Sequence, residues 1–218
     1  MYTLYCGPGT RATAAHLVLA EAQLPHQLRI IDITANEHRS PEFLKINPRG
    51  TIPALAEDGK VVSCETVAIM LYLCDKHELE DLSPGPADPQ RAPMLDWLLY
   101  HATEVQQPVK RSYYAHRFAL RPEDVEPIRN HACDQFTRYW EEVEAHLSQS
   151  GPFHLGERIS LPDLYLLVTG TYSHHLASGE FPVIDECMRR TAERPRIAPI
   201  QAEHLAVWQQ IKSNKLPK

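Results

Sequence analysis

The run NPRGTIPAL, residues 47–55, puts Pro53 directly after Ile52 at the start of an apolar, strand-like stretch. Proline gives a sheet no backbone N–H, so within sheets it is confined to edges, first strand positions and bulges. A strand entered this way needs a special turn, and the neighbouring elements show what sheet it joins. Tyr2–Cys6 is short and apolar-rich, and Pro8-Gly9 signals a turn. From Thr10 to Leu24 the residues Ala12, Leu17, Ala20 and Leu24 keep helical spacing. Leu28–Ile33 is strand-like. Ser40-Pro41-Glu42 opens a helix, with serine at the cap and proline at the first helical position. Ala54–Glu57 and Lys60–Ser63 flank Asp58-Gly59, a strong hairpin signal. Glu65–Lys76 then reads as a helix carrying Ala68, Ile69, Leu71, Tyr72 and Leu73. The order β-α-β-α-β-β-α over residues 1–79 predicts a four-stranded mixed sheet covered by helices.

Residues 80–88, EDLSPGPAD, are rich in proline, glycine and acidic or small residues and read as a linker. Residues 89–218 are helical throughout and predict a bundle. Asp88-Pro89 starts a helix with Leu95, Leu98, Leu99, Ala102 and Val105 on one face, and Pro108 is expected to kink or break it. A helix opening at Pro122 has the seam Val125, Ile128, Ala132, Phe136, Trp140, Val143 and Leu147, and Gly151-Pro152 ends it. Ser160-x-x-Asp163 has the form of a capping box, and a final helix covers Ile197 to Ile211.

The net charge of −6 offers no basic stripe for nucleic acid. The twelve histidines are scattered, without zinc-ligand spacing. Cys6, Cys64, Cys74, Cys133 and Cys187 are an odd, widely spaced set with no CxxC, which argues against a disulfide framework or a structural metal. MYTLYCGPG lacks the charged and apolar segments of a signal peptide, and no run approaches the ~18 apolar residues of a membrane span. A reducing cytoplasm is the expected compartment.

EFLKINPRGTIPAL, a hairpin and then CETVAIMLYL resemble the cytosolic glutathione transferase family, whose members carry N-P-x-G-x-[VI]-P-x-L followed by [EQ]-S-x-A-I-x-x-Y-L. WLLY…E (97–104) and SLPDLYL (160–166) extend the resemblance into the helical half. It implies a thioredoxin-like amino-terminal domain, an all-helical carboxy-terminal domain, glutathione as co-substrate without a metal, and a homodimer. It further implies that the Ile52–Pro53 bond is cis and that the Ile52 backbone pairs with the cysteinyl unit of glutathione. Glu65 and Thr66, at a helix start with open N–H groups, would hold the γ-glutamyl end, the threonine standing where most relatives have serine. His38, beside Arg39, is the candidate for the glycyl carboxylate.

Activating the glutathione thiol requires lowering a pKa near ~8.5 by two units, about 2.7 kcal/mol. A hydrogen bond to a charged partner supplies about 1.5–3 kcal/mol, so one well-placed hydroxyl suffices. Thr10, beginning the first helix, is the leading candidate, with the hydroxyl of the plant-type P-x-S pattern in mind. Tyr5, at the end of the first strand, and Cys6 are the alternatives, and the backbone or Arg11 could assist. The P-G-A-C-S pattern of the bacterial beta class would put its cysteine near Arg11 and its serine near Ala12, so the chain is not a close beta-class match.

An electrophilic, partly apolar second substrate is expected against the first long helix of the second domain. Tyr100, Glu104 and Arg111 fall roughly on one helical stripe, with Tyr113 and Tyr114 beside them. Transfer of the thiolate to that electrophile is the leading activity. A glutathione-dependent disulfide reductase and a non-catalytic binding or regulatory protein on the same scaffold are the alternatives. A maleylacetoacetate-isomerase-like activity is disfavoured because S-S-C-x-W-R is missing.

Overall fold

The computed structural model describes residues 1–213. The chain forms two compact units: Met1–Ser83 together with the stretch from Ala192, and Pro84–Thr191.

In the first unit β1 (Tyr2–Cys6) runs parallel to β2 (His26–Ile30) and antiparallel to β3 (Ala54–Glu57), and β4 (Lys60–Ser63) pairs antiparallel with β3. The order β2-β1-β3-β4 with this mixture of directions is thioredoxin-like. Asp58 (φ 47°) and Gly59 (φ 79°) both take left-handed conformations, which suit the twist of a two-residue hairpin. β2 was expected over Leu28–Ile33. It begins at His26 and stops at Ile30, because its partner β1 ends at Cys6 and the register pairs Cys6 with Ile30.

Helix α1 (Ala12–Glu21) packs against α3 (Thr66–Lys76), and Leu17, Val18, Ile69 and Leu73 are fully buried in this unit. Burying such a side chain contributes about 1.5–3 kcal/mol. α2 (Pro41–Ile46) opens as the sequence predicts: Ser40 Oγ accepts the Phe43 N–H at 3.2 Å. α9 (Ala198–Ser213) also packs on α1. The expected helical domain ran from 89 to 218, but this last helix groups with the sheet instead. Its tethers explain why. His204 Nε2 meets His16 Nδ1 at 2.9 Å, and ahead of α9 Arg194 forms a two-point ion pair with Glu21 at 2.8 and 3.0 Å.

The second unit is helical: α4 (Arg91–Tyr100), α5 (Gln106–Tyr113), α6 (Val125–Ser150), α7 (Leu161–Ser173) and α8 (Pro182–Ala192, whose last residue groups with the first unit). The predicted α6 seam is buried from Ala132 onward, with Phe136, Trp140, Val143 and Leu147, whereas its first two members, Val125 and Ile128, are only half-buried. The helix leading to Pro108 is irregular. It is not broken at the proline but is interrupted by a π-helical turn, His101–Val105, before α5 resumes with Pro108 as its third residue, an irregularity of the kind that a proline one turn on is expected to bring. The buried face is Met94, Leu98, His101 and Val105, steps of three and four that keep helical spacing, so Leu99 is exposed and His101 rather than Ala102 points inward.

The capping box at α7 is present. Asp163 Oδ2 accepts from Ser160 N–H (2.7 Å) and Ser160 Oγ–H (2.9 Å). Its Oδ1 takes the His154 backbone N–H (2.9 Å) and the His154 ring at Nδ1 (2.6 Å). His154 in turn contacts His101 ring to ring at 2.9 Å, and burial holds the His101 pKa well below its usual value.

Candidate functional site

Register assembles the candidate site. Tyr5 pairs with Ala54 and Leu55 with Ser63, so the end of β1, the start of β3 and the end of β4 lie at one edge of the sheet. Three segments leave or enter there: Gly7–Thr10, Asn47–Pro53, and Cys64-Glu65 leading into α3. The Ile52–Pro53 peptide is cis. Ile52 itself precedes the ladder, so its backbone groups sit at the sheet's end rather than within it.

Gly7 joins two of the segments. A Cβ there would lie 2.9 Å from Ile52 Cδ1, 3.1 Å from the Ile31 carbonyl oxygen and 3.9 Å from Thr10 Cγ2. A side chain there would crowd the Ile31 carbonyl and push on the tip of Ile52, so glycine suits the place where Ile52 and Thr10 draw near. The second segment is stitched by Asn47, which is almost fully buried. Its Nδ2 donates to the Thr51 carbonyl (2.6 Å), and its Oδ1 accepts the Arg49 N–H (3.2 Å). Gly50, at φ 58°, completes the turn against the His38 carbonyl and the Arg39 side chain.

Thr10 does not begin α1 as expected. The helix starts at Ala12 with Arg11 at its cap, and the Thr10 hydroxyl donates back to the Gly7 carbonyl at 2.6 Å. The Thr10 carbonyl accepts from Thr13 N–H at 3.1 Å, so the residue forms the turn just before the helix. Cys6 faces the core with no exposed surface, and burial pushes its thiol up to about 12. Burial of this kind favours the protonated thiol over the thiolate. Tyr5 points to the other face of β1 and sets its ring edge-on to Phe43, centroids 6.1 Å apart.

At α3, Glu65 occupies the cap position with extended backbone but makes no side-chain cap bond. Its carboxylate instead pairs with Arg49 Nη1 at 3.0 Å. Thr66, the first helical residue, is buried. His38 lies in the short 3-10 turn Glu37–Arg39, whose last residue donates from Nη1 to the Arg49 carbonyl at 3.4 Å.

The glutathione S-transferase N-terminal domain family matches residues 10–76, which span most of this edge. Over 209 residues the chain is 29% identical to glutathione S-transferase GST-4.5 of Xanthomonas campestris, covering 93% of this chain and 98% of that one. It is 26% identical to glutathione S-transferase GstA of Escherichia coli O157:H7, covering 89% and 94%. A glutathione transferase homologue from Sulfitobacter, solved with bound glutathione, superimposes with a TM-score of 0.83 at 28% identity, over 93% of this chain and 98% of its own. Residues 10–76 match the glutathione S-transferase N-terminal domain, and nearly the whole chain is similar to glutathione transferases.

The residues expected to meet the electrophile lie in the Pro84–Thr191 unit, and most are engaged internally. The Tyr100 hydroxyl donates to Glu142 at 2.5 Å, and burial together with that carboxylate raises its pKa. Arg111 donates to Gln135 Oε1 at 3.3 Å. Tyr113 donates to the Tyr172 carbonyl at 2.6 Å, and Tyr114 lies under the Arg117 guanidinium, 4.2 Å from the ring centre. Glu104 is exposed on the π-helical turn between Tyr100 and Arg111. Asn47, Arg49 and Gly7 are site residues that were quoted in the sequence but given no role. Asn47 and Arg49 stood inside the motif itself, whereas the signal for Gly7 is three-dimensional.

Proposed function

We propose that the protein is a glutathione S-transferase that adds the glutathione thiolate to an electrophilic, partly apolar small molecule, working as a homodimer. The observation that carries the reading is the approach to Gly7 of the Ile52 side-chain tip and the Thr10 methyl, which puts the residue assigned to the sulfur close in space to the residue whose backbone is assigned to the cysteinyl unit. In this reading the Ile52 backbone pairs with the cysteinyl unit. The open start of α3 with Thr66 receives the γ-glutamyl carboxylate, Glu65 its ammonium, and His38 the glycyl carboxylate.

The Thr10 hydroxyl has one proton, now donated to Gly7. To stabilise a thiolate it must turn toward the sulfur. It then exchanges a neutral hydrogen bond of about 0.5–1.5 kcal/mol for a charged one of about 1.5–3. The net gain of about 1–1.5 kcal/mol lowers the thiol pKa by roughly one unit, half of what the hydroxyl would supply if unengaged. For the electrophile, the exposed Glu104 and Tyr114 remain open to contact, while Tyr100, Arg111 and Tyr113 shape their surroundings through the bonds described.

Retention on immobilised glutathione tests binding, and failure of the folded protein to bind would sink the reading in favour of a non-catalytic scaffold protein. Turnover with a chloronitroaromatic acceptor should exceed turnover with a small disulfide, and the reverse ratio would reassign the protein to disulfide reduction. Thr10→Ala should lower turnover and raise the apparent pKa of bound thiol by about one unit. An unchanged pKa would remove Thr10 from its role.

A further inference from the structure

Arg49 is held from both sides through its backbone. Its N–H goes to Asn47 Oδ1 and its carbonyl takes Arg39 Nη1, at 3.2 and 3.4 Å. The side chain then reaches from the Asn47–Pro53 segment to the cap residue of α3, where Nη1 meets Glu65 Oε1 at 3.0 Å. Glu65 could have capped its own helix. It does not, and its carboxylate is turned to the guanidinium instead.

This leaves a patterned surface. The first N–H groups of a helix lack intrahelical partners and favour a carboxylate. An uncompensated Glu65 beside them would repel that carboxylate. A guanidinium at 3.0 Å offsets the charge, yet a single Nη1 contact leaves the carboxylate able to accept further hydrogen bonds. The arrangement fits a zwitterion: a carboxylate at the helix start and an ammonium at Glu65, with Arg49 fixing where the latter is received. The α-amino acid head of a γ-glutamyl group has that chemistry.

We infer that Arg49 is a positioning residue for the γ-glutamyl end of glutathione, acting through Glu65; the inference rests on the glutathione reading above. Because the guanidinium acts through a charge, its contribution falls with added salt.

The experiment measures glutathione affinity by calorimetry and steady-state constants in wild type, Arg49→Met, Arg49→Lys, Glu65→Gln and the Arg49→Met/Glu65→Gln double variant. Arg49→Met should weaken glutathione binding about tenfold, raise KM for glutathione by a similar factor and leave kcat within twofold. Arg49→Lys should recover most of the affinity. In the Glu65→Gln background the Arg49→Met change should cost less than twofold, since the group through which it acts is gone. A tenfold loss that persists in that background, a fall in kcat instead of a rise in KM, or an Arg49→Met variant that binds like wild type would each overturn the inference. Wild type that binds no glutathione would overturn the parent reading and this one with it, whereas wild-type binding with an indifferent Arg49→Met overturns this one alone.

Discussion

Acid should loosen this protein through the histidines between α1 and α9. His16 and His204 share a hydrogen bond of 2.9 Å, and Thr13 Oγ1 is 3.3 Å from the other nitrogen of His204. The two rings are 1% and 7% exposed. Burial, the facing His204 and the neighbouring His26 lower the His16 pKa to about 3, and burial lowers that of His204 to about 4. In the unfolded chain both titrate near ~6.5. The folded state therefore binds fewer protons than the unfolded one throughout the interval between these values. Stability is fully present above pH ~6.5 and is lost progressively as pH falls toward the folded-state values. At pH 5 the unfolded state gains about 2 kcal/mol per histidine that the folded state forgoes, about 4 kcal/mol for the pair. That is a large part of a typical folding free energy of roughly 5–15 kcal/mol. The assay is urea denaturation at pH 7.5 and pH 5 for wild type and for His16→Asn/His204→Gln, which keeps polar side chains but removes the titration. Other buried histidines, His101 among them, contribute equally to both proteins and cancel in the comparison. Wild type should lose about 4 kcal/mol more than the variant. Equal losses, or a His16 ring resonance that titrates near pH 6 in the native protein, would refute the reasoning.

Two further outcomes follow from buried groups. Cys6→Ala should leave turnover within about twofold, because the thiol is sealed in the core, and alkylation at pH 8 should modify Cys64 well before Cys6, as read by peptide mass spectrometry; inactivation of Cys6→Ala with an intact fold would contradict this. Asp163→Ala should cost about 3–5 kcal/mol in urea denaturation, since it strands the buried N–H groups of Ser160 and His154 and the His154 ring; a loss below 1 kcal/mol would mean the network carries little.

Local chemistry made much of this architecture readable from the chain. Asp58-Gly59 set the hairpin because few other pairs accept left-handed backbone at both positions, and β3 and β4 have the bounds read from the sequence. Ser40-Pro41 and Ser160-x-x-Asp163 marked helix starts through bonds made within three residues. The α6 seam followed from period alone. The motif around Ile52-Pro53 and Glu65-Thr66 named the edge of the sheet where the site would lie.

Non-local contacts settled the rest. Thr10 read as a helix start, but its hydroxyl is drawn to the Gly7 carbonyl and the helix begins at Ala12. Cys6 was an alternative in the sequence, and the fold buries it on the inward face of β1 with its thiol raised. Arg49 was one unassigned letter in NPRG, and its ion pair spans sixteen residues of sequence. The α9 helix follows the bundle in sequence yet belongs with the sheet, through a histidine contact 188 residues apart. Propensity and period act over a few residues and are written in the chain. Which side chain meets which partner depends on loops closing across the fold, and the chain gives no local sign of it.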